Sequence, residues 1–163
     1  MRFSSTFCLV FVTFVAHAST TLAQLSSGQY VLRSQNGNVP VGRSVFEDQS
    51  TRPKKIGVTS DAWNVERLEN GRFILRNGGS PTTDINGKVY ADVLGQNIIE
   101  WVIKRQQKSG AYTIETPDGR RGWVLPSKEV GTQVDSRPLI IGPSLPPFFP
   151  LSELWKFDTV ADE

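Results

Sequence analysis

Side chains able to make covalent bonds or hold metals are few in this chain, and the scarcest ones sit at its start. The one cysteine is Cys8 and the one histidine is His17. Both belong to a stretch that begins with Arg2, runs through the apolar segment "FCLVFVTFVA" (Phe7 to Ala16), and reaches small residues at Ala18, Thr21 and Ala23. A positive start, a short apolar run and small residues after it make a secretory leader. The run is too short for a bilayer, which takes about 20 apolar residues. Residues 1–23 are therefore expected to be a leader and residues 24–163 one secreted domain, with cleavage after Ala18 as the alternative. A mature chain without Cys or His has no thiol nucleophile, no Ser-His-Asp triad, no Cys/His zinc site and no disulfide.

Carboxylates are what remains for acid–base chemistry. Glu47/Asp48 and Asp84/Asp92 are the candidate pairs, and a hydrolytic pair must face one bond from two sides. Glu47 and Asp48 are adjacent, so they point apart on an extended segment, and they read better as the start of a solvated loop. No enzyme, no cofactor and no metal is expected. The formal charge of +2 over 163 residues carries no basic footprint for nucleic acid. No N-x-S/T sequon is present. A monomer with no membrane attachment after leader removal is expected.

The elements that would position anything on this chain are announced by a repeat. "WNVERLENGRF" (Trp63 to Phe73) is echoed by "WVIKRQQKSGAY" (Trp101 to Tyr112). A third copy is split: "LWKFDTV" (Leu154 to Val160) supplies its front half and "SGQYVLRS" (Ser27 to Ser34) its back half. After each glycine come Tyr30/Leu32, Phe73/Leu75 and Tyr112/Ile114, two residues apart, the period of a strand with one buried face. Tight turns are expected next, at Asn36-Gly37, Asn77-Gly78 and Asp118-Gly119, with further Asn-Gly pairs at Asn70 and Asn86. Three similar units, one made by joining the ends, predict an all-β β-trefoil with a six-stranded barrel closed by three hairpins, a closure that leaves no sheet edge exposed. The recurring Trp63, Trp101 and Trp155 belong to its core rather than to a sugar platform.

Contact chemistry should sit where the units differ. "FEDQSTRPKK" (Phe46 to Lys55) is a polar loop between two apolar stretches, and "RPLIIGPSLPPFFPLSEL" (Arg137 to Leu154) holds five of the ten prolines. The latter reads as stiff and extended, with at least one of Phe148 and Phe149 packed on the barrel. Stiff loops bind at low ordering cost, and extended ones suit a protease cleft, although sugars remain open.

The chain resembles the fungal β-trefoil serine protease inhibitors called mycospins. The resemblance rests on "SGQYVL", on "VGRSVFEDQSTRPKKI" with its E-D-x-S-x-x-P-K core, on "GGSPTTDINGKVYADVL", on the two Trp phrases, on "GWV" (Gly122 to Val124) and on "RPLIIGPSLPPFFPLSELWKF". It spans Leu25 to Thr159 and implies a protein that blocks trypsin-like serine proteases by presenting a loop. The leader departs from the family pattern. A cysteine protease inhibitor or a lectin on the same scaffold is the alternative, although Q-x-W motifs are missing.

The expected protease-contacting loop is Asp48, Gln49, Ser50, Thr51 and Arg52. Trypsin's acidic pocket favours Arg or Lys. Arg52 has the charge, but Pro53 follows it and lacks the N–H that a scissile position should offer. Lys54 is followed by the bulky Lys55. Gln49, followed by the small Ser50, stands at the variable position of E-D-x-S and is the preferred pocket residue, with Arg52 second. Ser144, Leu145 and Pro146 form a possible second loop, with Leu145 suited to an apolar, chymotrypsin-like pocket.

Overall fold

The computed structural model describes residues 24–44, 48 and 50–160. Among them are twelve strands: β1 (Gly28–Ser34), β2 (Val39–Arg43), β3 (Lys54–Val58), β4 (Ala62–Arg67), β5 (Phe73–Asn77), β6 (Ser80–Ile85), β7 (Lys88–Ala91), β8 (Val102–Arg105), β9 (Tyr112–Glu115), β10 (Gly122–Val124), β11 (Asp135–Arg137) and β12 (Trp155–Thr159). One short 3-10 turn, Leu151–Glu153, is the only helical element among the described residues.

Period-2 patterning explains the strands. Tyr30, Leu32 and Ser34 of β1 face inward, as do Phe73, Leu75 and Asn77 of β5, while their neighbours are partly exposed. Pairing then closes the sheet. β1 lies between β12 and β4, and β4 pairs with β5. Phe73 at the head of β5 exchanges two backbone hydrogen bonds with Trp101, at 2.9 and 2.7 Å, just before β8. β8 pairs with β9, and Tyr112 of β9 meets Trp155 of β12, completing the ring. The other six strands form the hairpins β2–β3, β6–β7 and β10–β11, which touch one another through Lys54↔Ala91, Asp135↔Lys88 and Gly57↔Gln133. The split repeat has its physical counterpart in β1 and β12, paired from Tyr30↔Thr159 to Ser34↔Trp155.

All four tryptophans are buried. Trp63 Nε1 donates to Val41 O at 2.7 Å, Trp101 Nε1 to Thr82 Oγ1 at 2.8 Å and Trp155 Nε1 to Trp123 O at 3.1 Å. Each barrel tryptophan is thus fastened to a residue on the first strand of a hairpin. Trp123, which the repeat does not contain, touches all three, with ring centroids 5.8, 5.2 and 5.8 Å away. Its own indole N–H is buried without a partner. A side chain that fills the centre in this way stabilises through packing, and removing so large a ring costs about 3–5 kcal/mol.

Turn chemistry is where the structure departs most from expectation. Of the Asn-Gly and Asp-Gly pairs, only Asn86-Gly87 puts both residues at positive φ, 51° and 76°. The β5–β6 turn is Gly78-Gly79 instead, with φ of 55° and 78°. Asn77 stays in the strand because its buried amide is occupied: it accepts from Arg43 N at 2.7 Å and donates to Ala62 O at 2.9 Å. The β1–β2 connection is a longer turn in which Gly37 and Asn38 carry the positive φ values. At Asp118-Gly119 only the glycine does, and Asp118 caps the turn through Arg120 N at 3.1 Å and Thr116 Oγ1 at 2.6 Å.

Candidate functional site

Two connections stand away from the barrel, and each is tied by hydrogen bonds. The first joins β2 to β3. Its near end is fixed by Asn77, which holds Arg43 N, and by the Arg43 guanidinium, which donates from Nη1 to Ser80 Oγ at 3.1 Å and Gly78 O at 3.3 Å. Its far end is set by Lys54, the first residue of β3. Lys54, Ile56 and Val58 share the inward face of that strand, so the Lys54 side chain is carried beneath the loop and only 6% of the residue is exposed. Lysine is buried this deeply only when its charge is met. Here it meets Asp48 O at 2.9 Å, Ser50 Oγ at 3.1 Å and the Asp48 carboxylate. Ser50 Oγ in turn donates to Asp48 Oδ1 at 2.8 Å. The Lys54 hydrogen bond, followed by that of Ser50, holds the Asp48 carboxyl below its usual range.

Of the expected contact residues, Asp48, Thr51 and Arg52 are exposed and Ser50 is half-buried. Gln49, the preferred pocket residue, lies outside the described residues, as does Glu47. Lys54 and Lys55 belong to β3 and not to the loop, which narrows the exposed segment at its far end. Lys54 is withdrawn from the surface, so it cannot be a pocket residue. Its strand register, in phase with Ile56 and Val58, is the signal that could have revealed this from the sequence.

The second connection runs from β11 to β12. It is not extended. Gly142 N donates to Phe148 O at 2.8 Å, Ser144 N to Gly142 O at 2.9 Å and Ser144 Oγ to Pro146 O at 2.7 Å, which folds residues 142–148 into a closed turn. Proline removes donors from this segment, and the N–H groups of Gly142 and Ser144 bond within it. Gly142 is required there, because a Cβ would lie 1.8 Å from Cε1 of Phe148. Phe148 therefore packs on Gly142 and under Lys108 Nζ, 5.4 Å from its centroid, and stays outside the barrel core. Leu145 is fully exposed at the tip, joined to Pro146 by a cis peptide bond, with Ser144 half-buried and Pro146 exposed beside it. The base is pinned by Glu153, which is 1% exposed and accepts Ile140 N at 3.0 Å on each carboxylate oxygen. Burial pushes the Glu153 carboxyl up, opposed by the Ile140 hydrogen bond and by the charge of Arg137.

The carboxylates first considered for chemistry are taken up by turns. Asp84 accepts Gly87 N at 3.0 Å and pairs with Arg121 at 3.1 Å. Asp92 accepts Leu94 N at 3.2 Å and Asn97 N at 2.7 Å. Among the described residues no three His, Cys, Asp or Glu side chains gather to hold a metal ion. This arrangement can offer shaped surface to a partner.

Comparison with known proteins agrees with that geometry. The family model for peptidase inhibitor I66 matches residues 23–159. A serine protease inhibitor of Lentinula edodes is 37% identical over 141 residues, covering 81% of this chain and 96% of that protein. The solved structure of a proteinase inhibitor from Coprinopsis cinerea superposes with a TM-score of 0.78 at 33% identity, over 84% of this chain and 100% of that one. A ricin B-like lectin of Macrolepiota procera, in complex with lactose, matches with a TM-score of 0.64 at 19% identity, over 85% of this chain and 100% of its own, a likeness of fold alone. An all-β closed barrel with two tied loops, and a family match over nearly the whole described chain, lead to one statement: the chain belongs to the peptidase inhibitor I66 family, whose members act by blocking peptidases and are not enzymes.

Proposed function

We propose that this chain is a secreted inhibitor of trypsin-like serine proteases that offers its β2–β3 loop to the protease cleft. The ring of six strands with three mutually touching hairpins is read as a β-trefoil, whose cap presents the loop. The observation that carries the proposal is the tied loop itself: Asn77 and Arg43 fasten its start, Lys54 fastens its end, and Asp48, Thr51, Arg52 and Pro53 between them are exposed. A loop fixed before binding avoids the ordering cost of association. Gln49 enters the specificity pocket with Ser50 after it, and Arg52 is the second candidate. Gln49→Glu, which sets a carboxylate against trypsin's own, is expected to abolish inhibition, and Gln49→Lys to tighten it. If both variants inhibit like wild type while Arg52→Glu fails, the pocket residue is Arg52. If Gln49→Glu and Arg52→Glu both inhibit normally, this loop is not the contact.

One observation favours a second reading for the β11–β12 loop. Leu145 is completely exposed on a turn closed by three hydrogen bonds, which suits an apolar, chymotrypsin-like pocket. Pro146 follows it, so the contact would plug a pocket without presenting a scissile bond. Replacing Ser144 and Leu145 with Gly should remove chymotrypsin inhibition and spare trypsin. Papain inhibition, or lactose binding in the micromolar range, would instead favour the cysteine protease inhibitor or the lectin on the same scaffold. Intact mass of the exported chain tests the leader: a start at Gln24 supports residues 1–23 as the leader, and a start at Ser19 moves the cut.

A further inference from the structure

Lysine rarely points into a fold, and in this chain the buried Lys54 does so beneath the one connection read above as the reactive loop. Its backbone is locked into the cap by pairing with Ala91 of β7, so the ammonium is rooted on a rigid strand and reaches outward. An ammonium has three donors and no acceptor. Three acceptors surround it, namely the Asp48 carbonyl, the Asp48 carboxylate and the Ser50 hydroxyl. All three belong to the loop, and they stand on both sides of position 49. No residue of the barrel wall is among them, so the contacts serve the shape of the loop and not the closure of the sheet.

We propose that Lys54 is a positioning residue for inhibition: its ammonium braces residues 48 and 50 from within and thereby holds the loop in the shape that a protease meets. The inference rests on the β2–β3 loop being the contact. Without the brace the loop is expected to sample many shapes. A protease then meets a flexible segment, which it can cut, in place of a fixed one that fills the cleft and stays whole. The exposed surface of the loop is unchanged by the substitution, because Lys54 itself does not reach it. Asp48, more than half exposed at its side chain, can turn to water when the ammonium is lost, so the effect falls on loop order more than on global stability.

The test uses the full mature chain with Lys54→Met, which keeps the length and removes the charge, assayed against trypsin. Inhibition is expected to weaken about tenfold or more, the scale of a lost charged hydrogen bond. The variant's loop should also become a substrate for subtilisin, which needs no basic residue, with a cut mapped by mass between residues 48 and 53, while wild type stays whole under the same conditions. A merely structural lysine would lower the melting temperature without creating that cut. Asp48→Ala, at a side chain more than half exposed, is the second variant. Its loss should not add to that of Lys54→Met, because both break the same brace. Should Lys54→Met fail to fold, Asp48→Ala decides alone by the appearance or absence of the same cut. Uncut Lys54→Met with wild-type inhibition, or losses that add fully, would overturn the brace. Normal inhibition by Gln49→Glu and Arg52→Glu would instead overturn the loop assignment beneath it.

Discussion

The β2–β3 and β11–β12 connections solve one problem, holding a projecting loop still, with opposite charges. The first is pinned by a buried ammonium that reaches up from Lys54 into a polar loop, and its partners are a carbonyl, a carboxylate and a hydroxyl. The second is pinned by a buried carboxylate, Glu153, that takes the backbone N–H of Ile140, and its outer part is apolar, with Ile140, Ile141, Leu145 and Phe148 exposed. The same scaffold can therefore carry two loops whose order responds differently to solvent conditions. Rigidity in a loop is local, set by one or two bonds at its root, and need not follow from proline content. The proline-rich connection is held by hydrogen bonds as much as the one with a single proline is.

Removing the second pin gives the largest expected effect. Glu153→Ala takes the acceptor from the Ile140 N–H and empties a buried position, and should cost about 1–3 kcal/mol, read from the urea midpoint. Trypsin inhibition should survive, since the Lys54 brace is untouched. Loss of trypsin inhibition in that variant would break the separation between the loops.

Acidity should sharpen it next. The Asp48 carboxyl is depressed by Lys54, so its bonds are complete above the ordinary carboxylate range and fade as pH falls through the lowered value. The Glu153 carboxyl is raised by burial, so its contribution is complete below the ordinary value and fades as pH rises through the raised one. Melting curves of wild type and Glu153→Gln should therefore lie close together in acid, where the carboxyl is neutral like the amide, and separate toward neutral pH with Glu153→Gln ahead. Hydrogen exchange in the β2–β3 loop should slow as pH rises over the same range, once intrinsic rates are corrected. A parallel response of both loops would contradict the opposed shifts.

A smaller effect is expected at Lys108. Its ammonium over Phe148 is exposed, and Lys108→Ala should cost roughly 0.5–1 kcal/mol of stability and leave the β2–β3 loop unmoved. The smallest is none at all: strong reductant should shift neither the melting temperature nor the inhibition of a chain made of residues 24–163, which contain no cysteine to bind either loop.

The barrel was legible in the sequence because its strands obey one simple rule. Inward residues alternate, and Trp63, Trp101 and Trp155 recur at matching strand positions, so the pairing of the two chain ends could be read from a split phrase. Trp123 could not be placed, since nothing local says that a fourth ring should fill the centre shared by the other three. Turns were misread where a side chain had a competing bond: Asn77 gave up its turn position for Arg43 N and Ala62 O. The candidate site was legible as two odd segments and no further. The charge of Lys54 suggests a surface contact, although its register with Ile56 and Val58 places it inside. Glu153 carried no such signal, for its partner is a backbone group thirteen positions away.

The pairing of β1 with β12 bears on how the molecule would yield to force. The two strands are antiparallel neighbours, and Val160 N donates to Gln29 O at 3.2 Å beside the Tyr30↔Thr159 rung. Both ends of the chain thus leave from the same edge of the barrel. A pull on the ends loads the rungs one after another from Tyr30↔Thr159 toward Ser34↔Trp155, as a zipper opens, and never shears them together. Resistance to stretching should be low, and the first strands to part are the two that close the ring.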